Sequence, residues 1–296
     1  MDQLVTIGLP VFNGETHLLA ALRSLTQQTY QKLEVLVFDN ASTDSTPDIA
    51  MQFARNDDRV AYRRHPFNLG AAANHNAVAT AAAGSYFKWA AYDDICAPEF
   101  VEGCVTALQD PSVAGAYTRT ELIDGTGASL GEYRGARVPD GGSPSHRLSQ
   151  LLAAPWASSV LHFCLPVYGV FRTGDVRRSP LIGSYNGSDT TFILHMALRG
   201  ALVEVDEVLF RNRKHETSSL TGRTPAEVAR WFDPRMRGEP MVRTRFLQEY
   251  LRQVLSVEMP SVERARCVAT IARWVATERR WRVMSGEVRR RLLARS

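Results

Sequence analysis

The sequence predicts an α/β fold in which a mainly parallel, twisted sheet is flanked by helices, a Rossmann-like α/β/α sandwich, with a helical C-terminal extension. Three observations support this fold class. Apolar strand patterns alternate with amphipathic helix patterns over the first 125 residues. Polar residues follow the strands at the point where each one ends. From residue 221 onwards the sequence is helical in pattern and rich in arginine.

Short apolar runs that fit burial within a sheet predict five strands in the alternating part. They cover residues 4–12, 34–39, 60–64, 86–92 and 113–123. Apolar residues at helical spacing predict helices between them, and Ser42, Thr43 and Asp44 mark the start of the second helix. The helices cover residues 16–28, 44–55, 71–83 and 98–108. This alternation predicts parallel strands joined by crossover helices.

The rest of the chain is less regular. A Gly- and Pro-rich stretch at residues 125–145 predicts a loop. The elements expected after it are a helix at 148–153, a strand at 167–172, a helix at 186–199 and a strand at 201–211. We therefore expect one domain of residues 1–220, with halves that meet near residue 125, and a helical, Arg-rich region of residues 221–296.

Composition narrows the class of protein. No apolar run reaches the roughly 18 to 20 residues that a membrane-spanning helix needs, so a secreted or integral membrane protein is not expected. The four cysteines form no CxxC pair, which fits reduced thiols in a cytoplasmic protein.

The net charge of +4 is unevenly distributed. From residue 261 onwards ten Arg stand against three Glu, a surplus of +7, which leaves −3 on residues 1–260. We expect no nucleic-acid partner for the body of the protein. The tail could lie on an anionic membrane surface, contact a second subunit, or pack as solvated helices on the main domain.

Polar residues follow four of the predicted strands, at residues 12–13, 39–40, 65–68 and 93–94. Ligands bind beyond the carboxyl ends of strands in open α/β sheets, so these residues are expected to share one site. Asp93 and Asp94 end an aromatic-rich strand. Such hard oxygen ligands suit Mg²⁺ or Mn²⁺, although a solvated turn would also place two acids there.

Two enzyme classes are excluded because their motifs are missing from the sequence. The first strand is not followed by G-x-G-x-x-G, which argues against a dinucleotide oxidoreductase. The sequence also lacks the GxxxxGK[ST] loop of nucleoside triphosphatases.

Six short motifs stand in a fixed order along residues 4–220. They are Pro10-Val11-Phe12-Asn13, Asp39-Asn40-Ala41-Ser42-Thr43-Asp44, Asn68-Leu69-Gly70 with Asn76, Ala91-Tyr92-Asp93-Asp94 with Pro98, Asp189, and Arg213-Lys214-His215. In these motifs the sequence resembles the family 2 glycosyltransferases, which have the GT-A fold.

The resemblance implies an inverting glycosyltransferase that uses a nucleotide-sugar donor and a divalent metal, Mn²⁺ or Mg²⁺. It implies a nucleotide-binding half near residues 1–125 and an acceptor half near residues 126–220. The donor-binding residues that it implies are Pro10, Phe12, Asn13, Asp39, Asn68, Gly70, Asn76 and Tyr92. The acceptor class stays open between a glycan, a lipid-linked molecule and a small metabolite.

Two of these donor contacts have alternatives. Asp39 can accept a hydrogen bond from a uracil-type N3–H or a ribose hydroxyl, or it can cap the following helix, a role that Ser42, Thr43 and Asp44 already fill. Phe12 can form a wall beside the base or belong to ordinary strand-end packing.

The resemblance places the metal on Asp93, counted back from Pro98, with His215 as a further ligand. Ala91 stands where the family's D-x-D motif has its first acid, so metal use is expected with this departure. Asp94 can orient the acceptor or a water molecule, or cap a turn. A solvated histidine is the alternative for His215.

Asp189 is implied as the general base that takes the proton of the acceptor hydroxyl. The family commonly has Glu-Asp where this chain has Ser188-Asp189, and both residues could instead cap a helix. Trp156 lies in the acceptor-side region, where an aromatic face stacks on a sugar or belongs to the core.

The tail lacks the Q-x-x-R-W motif of processive synthases, because Thr277 precedes Arg280-Trp281. A single addition is therefore expected. One alternative is a catalytically silent nucleotide-sugar-binding or scaffold protein, which Ala91 and Ser188 leave open. A sugar-phosphate nucleotidyltransferase is a weaker alternative, because the first strand lacks a basic, Gly-rich loop after it.

Overall fold

A computed structural model describes residues 3–133, 135, 138, 140–153, 164–215, 224–236, 241–277 and 280–293. Within these residues nine strands form one sheet. The strands are β1 (Val5–Val11), β2 (Leu33–Asp39), β3 (Val60–Arg64), β4 (Tyr86–Trp89), β5 (Ile95–Cys96), β6 (Val113–Ile123), β7 (Ser129–Glu132), β8 (Val170–Arg172) and β9 (Ala201–Arg213). Their order is β3-β2-β1-β4-β8-β6-β9-β5, and β7 pairs with β6.

Helices connect and flank these strands. They are α1 (Leu18–Thr26), α2 (Thr46–Asn56), α3 (Ala71–Ala81), α4 (Phe100–Ala107), α5 (Pro144–Ala153), α6 (Thr173–Arg178), α7 (Ser188–Arg199), α8 (Pro225–Phe232), α9 (Val242–Ser256), α10 (Ser261–Ala276) and α11 (Arg280–Leu293). A short 3₁₀ helix, Leu165–Tyr168, precedes β8. None of the helices within the described residues is long and apolar enough to cross a membrane.

The first half of the sheet has the predicted parallel strands. β1 lies between β2 and β4 and is parallel to both, and β3 is parallel to β2. The carboxyl ends of these strands therefore meet at one edge of the sheet. The second half is mixed, because β8 is antiparallel to both β4 and β6 while β9 is parallel to β6. The predicted α/β class, with its flanking and C-terminal helices, is confirmed.

Two apolar cores lie against the sheet. One contains residues of α1, β2 and α4, such as Leu22, Val35 and Phe100. The other contains Phe87 and Phe192 together with Tyr250 of α9 and Trp274 of α10. Burying a side chain of this size stabilises a fold by about 1.5–3 kcal/mol. The C-terminal helices therefore share a core with the sheet.

Two segments differ from their predicted structure. The predicted loop at residues 125–145 contains β7, which forms an antiparallel pair with β6. The strand predicted at 86–92 ends at Trp89, after which the Ala90 N–H donates to the Gly8 carbonyl at 2.8 Å. Residues 91–94 are irregular backbone as a result. Asp93 and Asp94 therefore lie in a loop beyond the strand end.

Candidate active site

A cavity of about 770 Å³ opens at the carboxyl edge of the parallel strands. Its wall includes most of the residues that the sequence singled out. These are Pro10, Phe12, Asn13, Asn68, Tyr92, Asp93, Asp94, Asp189 and His215. Asp39, Gly70 and Asn76 are not part of the wall, and Trp156 lies outside the described residues. Residues from both halves of the chain thus line one cavity.

The loops after β1 and β2 are tied to each other and form the floor of the cavity. Asn13 adopts a positive φ of 51°, which asparagine tolerates better than most residues. Its N–H donates to Ser42 Oγ and its Oδ1 accepts from the Thr43 N–H, both at 2.9 Å. The Gly14 N–H donates to Thr46 Oγ1 at 2.8 Å. These bonds fix the loop that presents Phe12, whose side chain is 40% exposed rather than packed in the core.

Asp39 is fully buried and serves the loop after β2. Its Oδ1 accepts from the Ser42 N–H and its Oδ2 accepts from the Tyr62 hydroxyl, each at 2.8 Å. The guanidinium of Arg64 lies 3.4 Å from Oδ2. The next residue, Asn40, lines the cavity, and the contact predicted between Asp39 and a nucleotide stays a prediction.

Asn40 and Asn68 form one polar wall. Asn40 Nδ2 donates to Asn68 Oδ1 at 2.9 Å, and Asn40 Oδ1 accepts from the Leu69 N–H at 2.8 Å. Asn68 Oδ1 also accepts from the Gly70 N–H at 2.8 Å. The loops after β2 and β3 are joined in this way, and both amide side chains are held at the cavity.

Gly70 and Asn76 support the cavity from outside its wall. Gly70 has a φ of +88°, and a Cβ there would lie 2.6 Å from both the Phe232 carbonyl oxygen and Pro234 Cδ. Asn76 Nδ2 donates to the Ile182 carbonyl and its Oδ1 accepts from the Ile182 N–H, both at 2.9 Å. Gly70 and Asn76 thus make structural contacts here, and Ile182, to which Asn76 is bonded, lies on the wall; their contact with the donor stays a prediction.

Asp93 and His215 form a pair at the cavity. Asp93 Oδ2 and His215 Nε2 are 2.9 Å apart, and their side chains are 18% and 9% exposed. His215 is therefore not a solvated histidine. Its ring lies 4.9 Å from that of His17, whose pKa is lowered by burial and by the nearby charge of Arg213.

The donor set of this pair fits a shared divalent metal. Adjacent ligands of an octahedral ion at about 2.1 Å lie about 3 Å apart, as these two atoms do. Within the described ranges no group of three or more His, Cys, Asp or Glu side chains could hold a metal by itself. A metal here would therefore take further oxygen ligands from a bound diphosphate or from water.

Asp94 holds the end of β9 in place. Its carboxylate accepts from Asn212 Nδ2 at 3.1 Å and from the Arg213 N–H at 2.8 Å. Burial, with the charge of Asp93 as a smaller contribution, raises the pKa of Asp94 to about 7. Arg213 Nε in turn donates to the Asp93 carbonyl at 2.8 Å. Asp94 therefore positions the segment that carries Lys214 and His215.

Asp189 is the second residue of α7 and is partly buried at the cavity. The N-cap of α7 is Gly187, with a φ of +81°, so neither Ser188 nor Asp189 is the cap. Asp189 Oδ1 accepts from the Thr190 N–H at 2.8 Å. Burial raises the pKa of Asp189 to about 6. The carboxylate is thus a stronger base than an exposed aspartate and is still ionised at neutral pH.

Helix α8 forms a wall that the sequence reasoning missed. Arg230, Trp231 and Phe232 line the cavity from this helix. A capping box starts α8, because Thr224 Oγ1 accepts from the Glu227 N–H at 3.3 Å and the Thr224 N–H donates to the Glu227 side chain at 2.7 Å. The sequence Thr-Pro-x-Glu shortly after His215 is the signal that could have located it.

The sequence matches the family model described as Glycosyl transferase family 2 over residues 6–177. An uncharacterized glycosyltransferase of Rickettsia felis is 32% identical over 168 residues, which cover 54% of this chain and 26% of that protein. The chain spans between 26% and 39% of the length of this protein and of three other uncharacterized Rickettsia glycosyltransferases that it matches.

Two solved structures resemble most of this chain in fold. Staphylococcus aureus TarS 1-349, in complex with UDP, has a TM-score of 0.63 at 14% identity, covering 93% of this chain and 72% of that one. The Pyrobaculum calidifontis mannosyltransferase PcManGT, in complex with GDP-Man and Mn²⁺, has a TM-score of 0.53 at 15% identity, covering 99% of this chain and 76% of that one. These likenesses concern the fold, and they confirm the expected GT-A type.

Proposed function

Because the chain belongs to glycosyl transferase family 2, we propose that it is an inverting glycosyltransferase. It moves a single sugar from a nucleoside diphosphate sugar to a hydroxyl or amine of an acceptor. The observation that carries this proposal is that the partly buried carboxylate of Asp189 and the Asp93–His215 pair line the same cavity. One group can take a proton while the other lies beside the leaving group.

The donor binds with its nucleotide beside Phe12, Asn40 and Asn68. The two asparagine side chains offer amide donors and acceptors, and Phe12 offers an aromatic face for a base. TarS with UDP and PcManGT with GDP-Man support a nucleotide ligand for this fold. Asp39 contributes through Ser42 and Tyr62, by holding the loop that follows it.

The diphosphate lies toward Asp93 and His215. A divalent metal, Mn²⁺ or Mg²⁺, would there supply positive charge to the leaving diphosphate. Lys214 also lines this part of the cavity, and burial lowers the pKa of its amine. The PcManGT complex, which contains Mn²⁺, supports a metal at such a site.

Asp189 acts as the general base. Its carboxylate accepts the proton of the acceptor hydroxyl while the hydroxyl oxygen bonds to C1 of the donor sugar. The bond from C1 to the diphosphate oxygen breaks on the opposite face, which inverts the configuration at C1. The raised pKa of Asp189, about 6, favours proton transfer over that of an exposed aspartate.

Nucleoside diphosphate release tests the proposal. The protein is incubated with UDP-GlcNAc or GDP-mannose, with Mn²⁺ or with EDTA, and free UDP or GDP is measured. Thermal unfolding with UDP or GDP plus Mn²⁺ reports binding separately. Binding without release would favour the silent nucleotide-sugar-binding protein that Ala91 and Ser188 leave open. Absence of both binding and release would contradict the proposal.

The C-terminal helices bear on the cellular location of the enzyme and on its partners. Exposed Val262, Trp281 and Val283 lie among arginines of α10 and α11. These two helices are the part of the chain on which contact with a membrane or a second subunit would occur. We propose a cytoplasmic enzyme, with membrane-peripheral location as the alternative.

A further inference from the structure

The side chain of Ser188 is a buried polar group that makes no hydrogen bond to the other described residues. Ser188 is the first residue of α7, lines the cavity and is 1% exposed. Within the part of the chain that the structure describes, its Oγ has no hydrogen-bond partner. Buried hydroxyl groups nearly always have a partner, so one that lacks it at a cavity wall calls for a ligand.

The backbone around Ser188 is well fixed, so poor packing does not account for the missing partner. The Ser188 carbonyl accepts from Thr191 Oγ1 at 2.7 Å. Thr191 Oγ1 is also paired with the Tyr185 hydroxyl at 2.9 Å. The helix therefore satisfies the buried hydroxyl of Thr191, whereas the hydroxyl of Ser188, a residue of the cavity wall, is left without a partner among the described residues.

The surroundings define the chemistry of the ligand group. A serine hydroxyl both donates and accepts hydrogen bonds. The adjacent Asp189 carboxylate only accepts when ionised, and its charge repels an anion. A neutral group that both donates and accepts fits beside these two residues. A sugar hydroxyl has this property. The partial positive charge at the N-terminus of α7 also attracts the oxygen of such a hydroxyl.

We propose that Ser188 Oγ hydrogen-bonds a sugar hydroxyl of the bound substrates and positions that sugar beside Asp189. The inference rests on the proposed glycosyltransferase activity and adds a positioning residue to it. The hydroxyl belongs to either the donor sugar or the acceptor sugar, and the two sources give different kinetic results.

The Ser188→Ala variant separates this role from a structural one. No hydrogen bond to a described residue is lost, so the Tm of the variant should equal or exceed that of the wild type. The kcat/KM should fall about tenfold, because one hydrogen bond to the substrate is absent. Thr191→Val is the matched control: it removes a hydroxyl with two protein partners, and it should lower the Tm.

The experiment measures hydrolysis of UDP-GlcNAc and GDP-mannose, in which water replaces the acceptor, and transfer to a panel of monosaccharides. A loss in both reactions at unchanged Tm supports a contact to the donor sugar. A loss in transfer alone supports a contact to the acceptor. Wild-type kcat/KM in both reactions, or a loss accompanied by a drop in Tm like that of Thr191→Val, overturns the inference.

The pH profile adds a second readout. The acid limb of kcat/KM near pH 6 should persist in Ser188→Ala, because Asp189 is intact. Loss of that limb would show that Ser188 acts on the base and not on a sugar, which overturns the inference. If the wild-type protein neither binds UDP or GDP nor releases them from the sugars, the proposed function fails, and the inference fails with it.

Discussion

The Asp189→Asn variant tests the general base directly. Asparagine matches aspartate in size, and its Oδ1 can still accept from the Thr190 N–H, as Asp189 does at 2.8 Å. The variant loses the negative charge and the ability to take a proton. Turnover should fall by about 10²- to 10⁴-fold, the usual contribution of a positioned base. Nucleoside diphosphate should still bind, because the Asp93–His215 pair and the floor loops are unchanged.

The structure also gives the sign of the change in stability. Burial raises the pKa of Asp189 from 3.8 to about 6, a difference that corresponds to about 3 kcal/mol. The folded state therefore binds the proton more tightly than the unfolded chain does. The ionised carboxylate destabilises the fold increasingly as pH rises from about 4 to 6, and fully above that range. The asparagine variant carries no such charge.

Thermal unfolding at two pH values measures the destabilisation that the ionised Asp189 carboxylate causes. The Tm of Asp189→Asn should exceed that of the wild type by on the order of 5 °C at pH 8. The difference should be about half as large at pH 5, where most of the wild-type Asp189 is protonated in the fold. Wild-type kcat/KM should fall below pH ~6 as well. Full activity in the variant, or a Tm below wild type by the same amount at both pH values, would refute a buried base.

Three further predictions concern the walls and the metal. Gly70→Ala should lower the Tm by several degrees, because a Cβ at φ +88° meets the Phe232 carbonyl oxygen. The control Gly131→Ala, at φ +100° with nothing within 4 Å of its Cβ, should lower stability by only about 1 kcal/mol. Equal losses of stability in the two variants would contradict the close packing of α8 on Gly70. Asp93→Asn should abolish the additional rise in Tm that Mn²⁺ gives in the presence of UDP or GDP, and an unchanged Mn²⁺ effect would remove Asp93 as a ligand. Asn76→Ala should lower the free energy of unfolding by about 1–3 kcal/mol, because its two hydrogen bonds to Ile182 are lost. The Kd for UDP or GDP, measured without denaturant, should change little. A large change in Kd at unchanged stability would instead support a direct contact between Asn76 and the donor.

The strands and helices could be predicted because their signals are local. β6 begins and ends where its apolar run does, at Val113 and Ile123. The pairing of β8 with β4 and β6 could not be predicted, because it joins residues about 85 and about 55 positions apart in the chain and leaves no periodic mark in the sequence. The position of α8 at the cavity could not be predicted either, because its contact with Gly70 is set by tertiary packing.

Within the site, side-chain direction limited the prediction. A carboxylate after a strand can turn toward the ligand or back toward the sheet, and the Tyr62 hydroxyl on the neighbouring strand draws Asp39 back. On α3, residues two positions apart point about 200° away from each other. Asn74 therefore reaches the cavity while Asn76 faces Ile182.

The bonds that tie the loops after β1 and β2 have a consequence for binding thermodynamics. Asn13, Gly14 and Glu15 are each bonded to the segment between Ser42 and Thr46 before any ligand arrives. Ordering a mobile side chain on association costs about 0.5–1.5 kcal/mol, and here much of that entropy is already lost during folding. The floor is thus a preorganised template. Differences in substrate preference among relatives with the same floor are expected to arise in the surrounding walls, such as α8 and the start of α7.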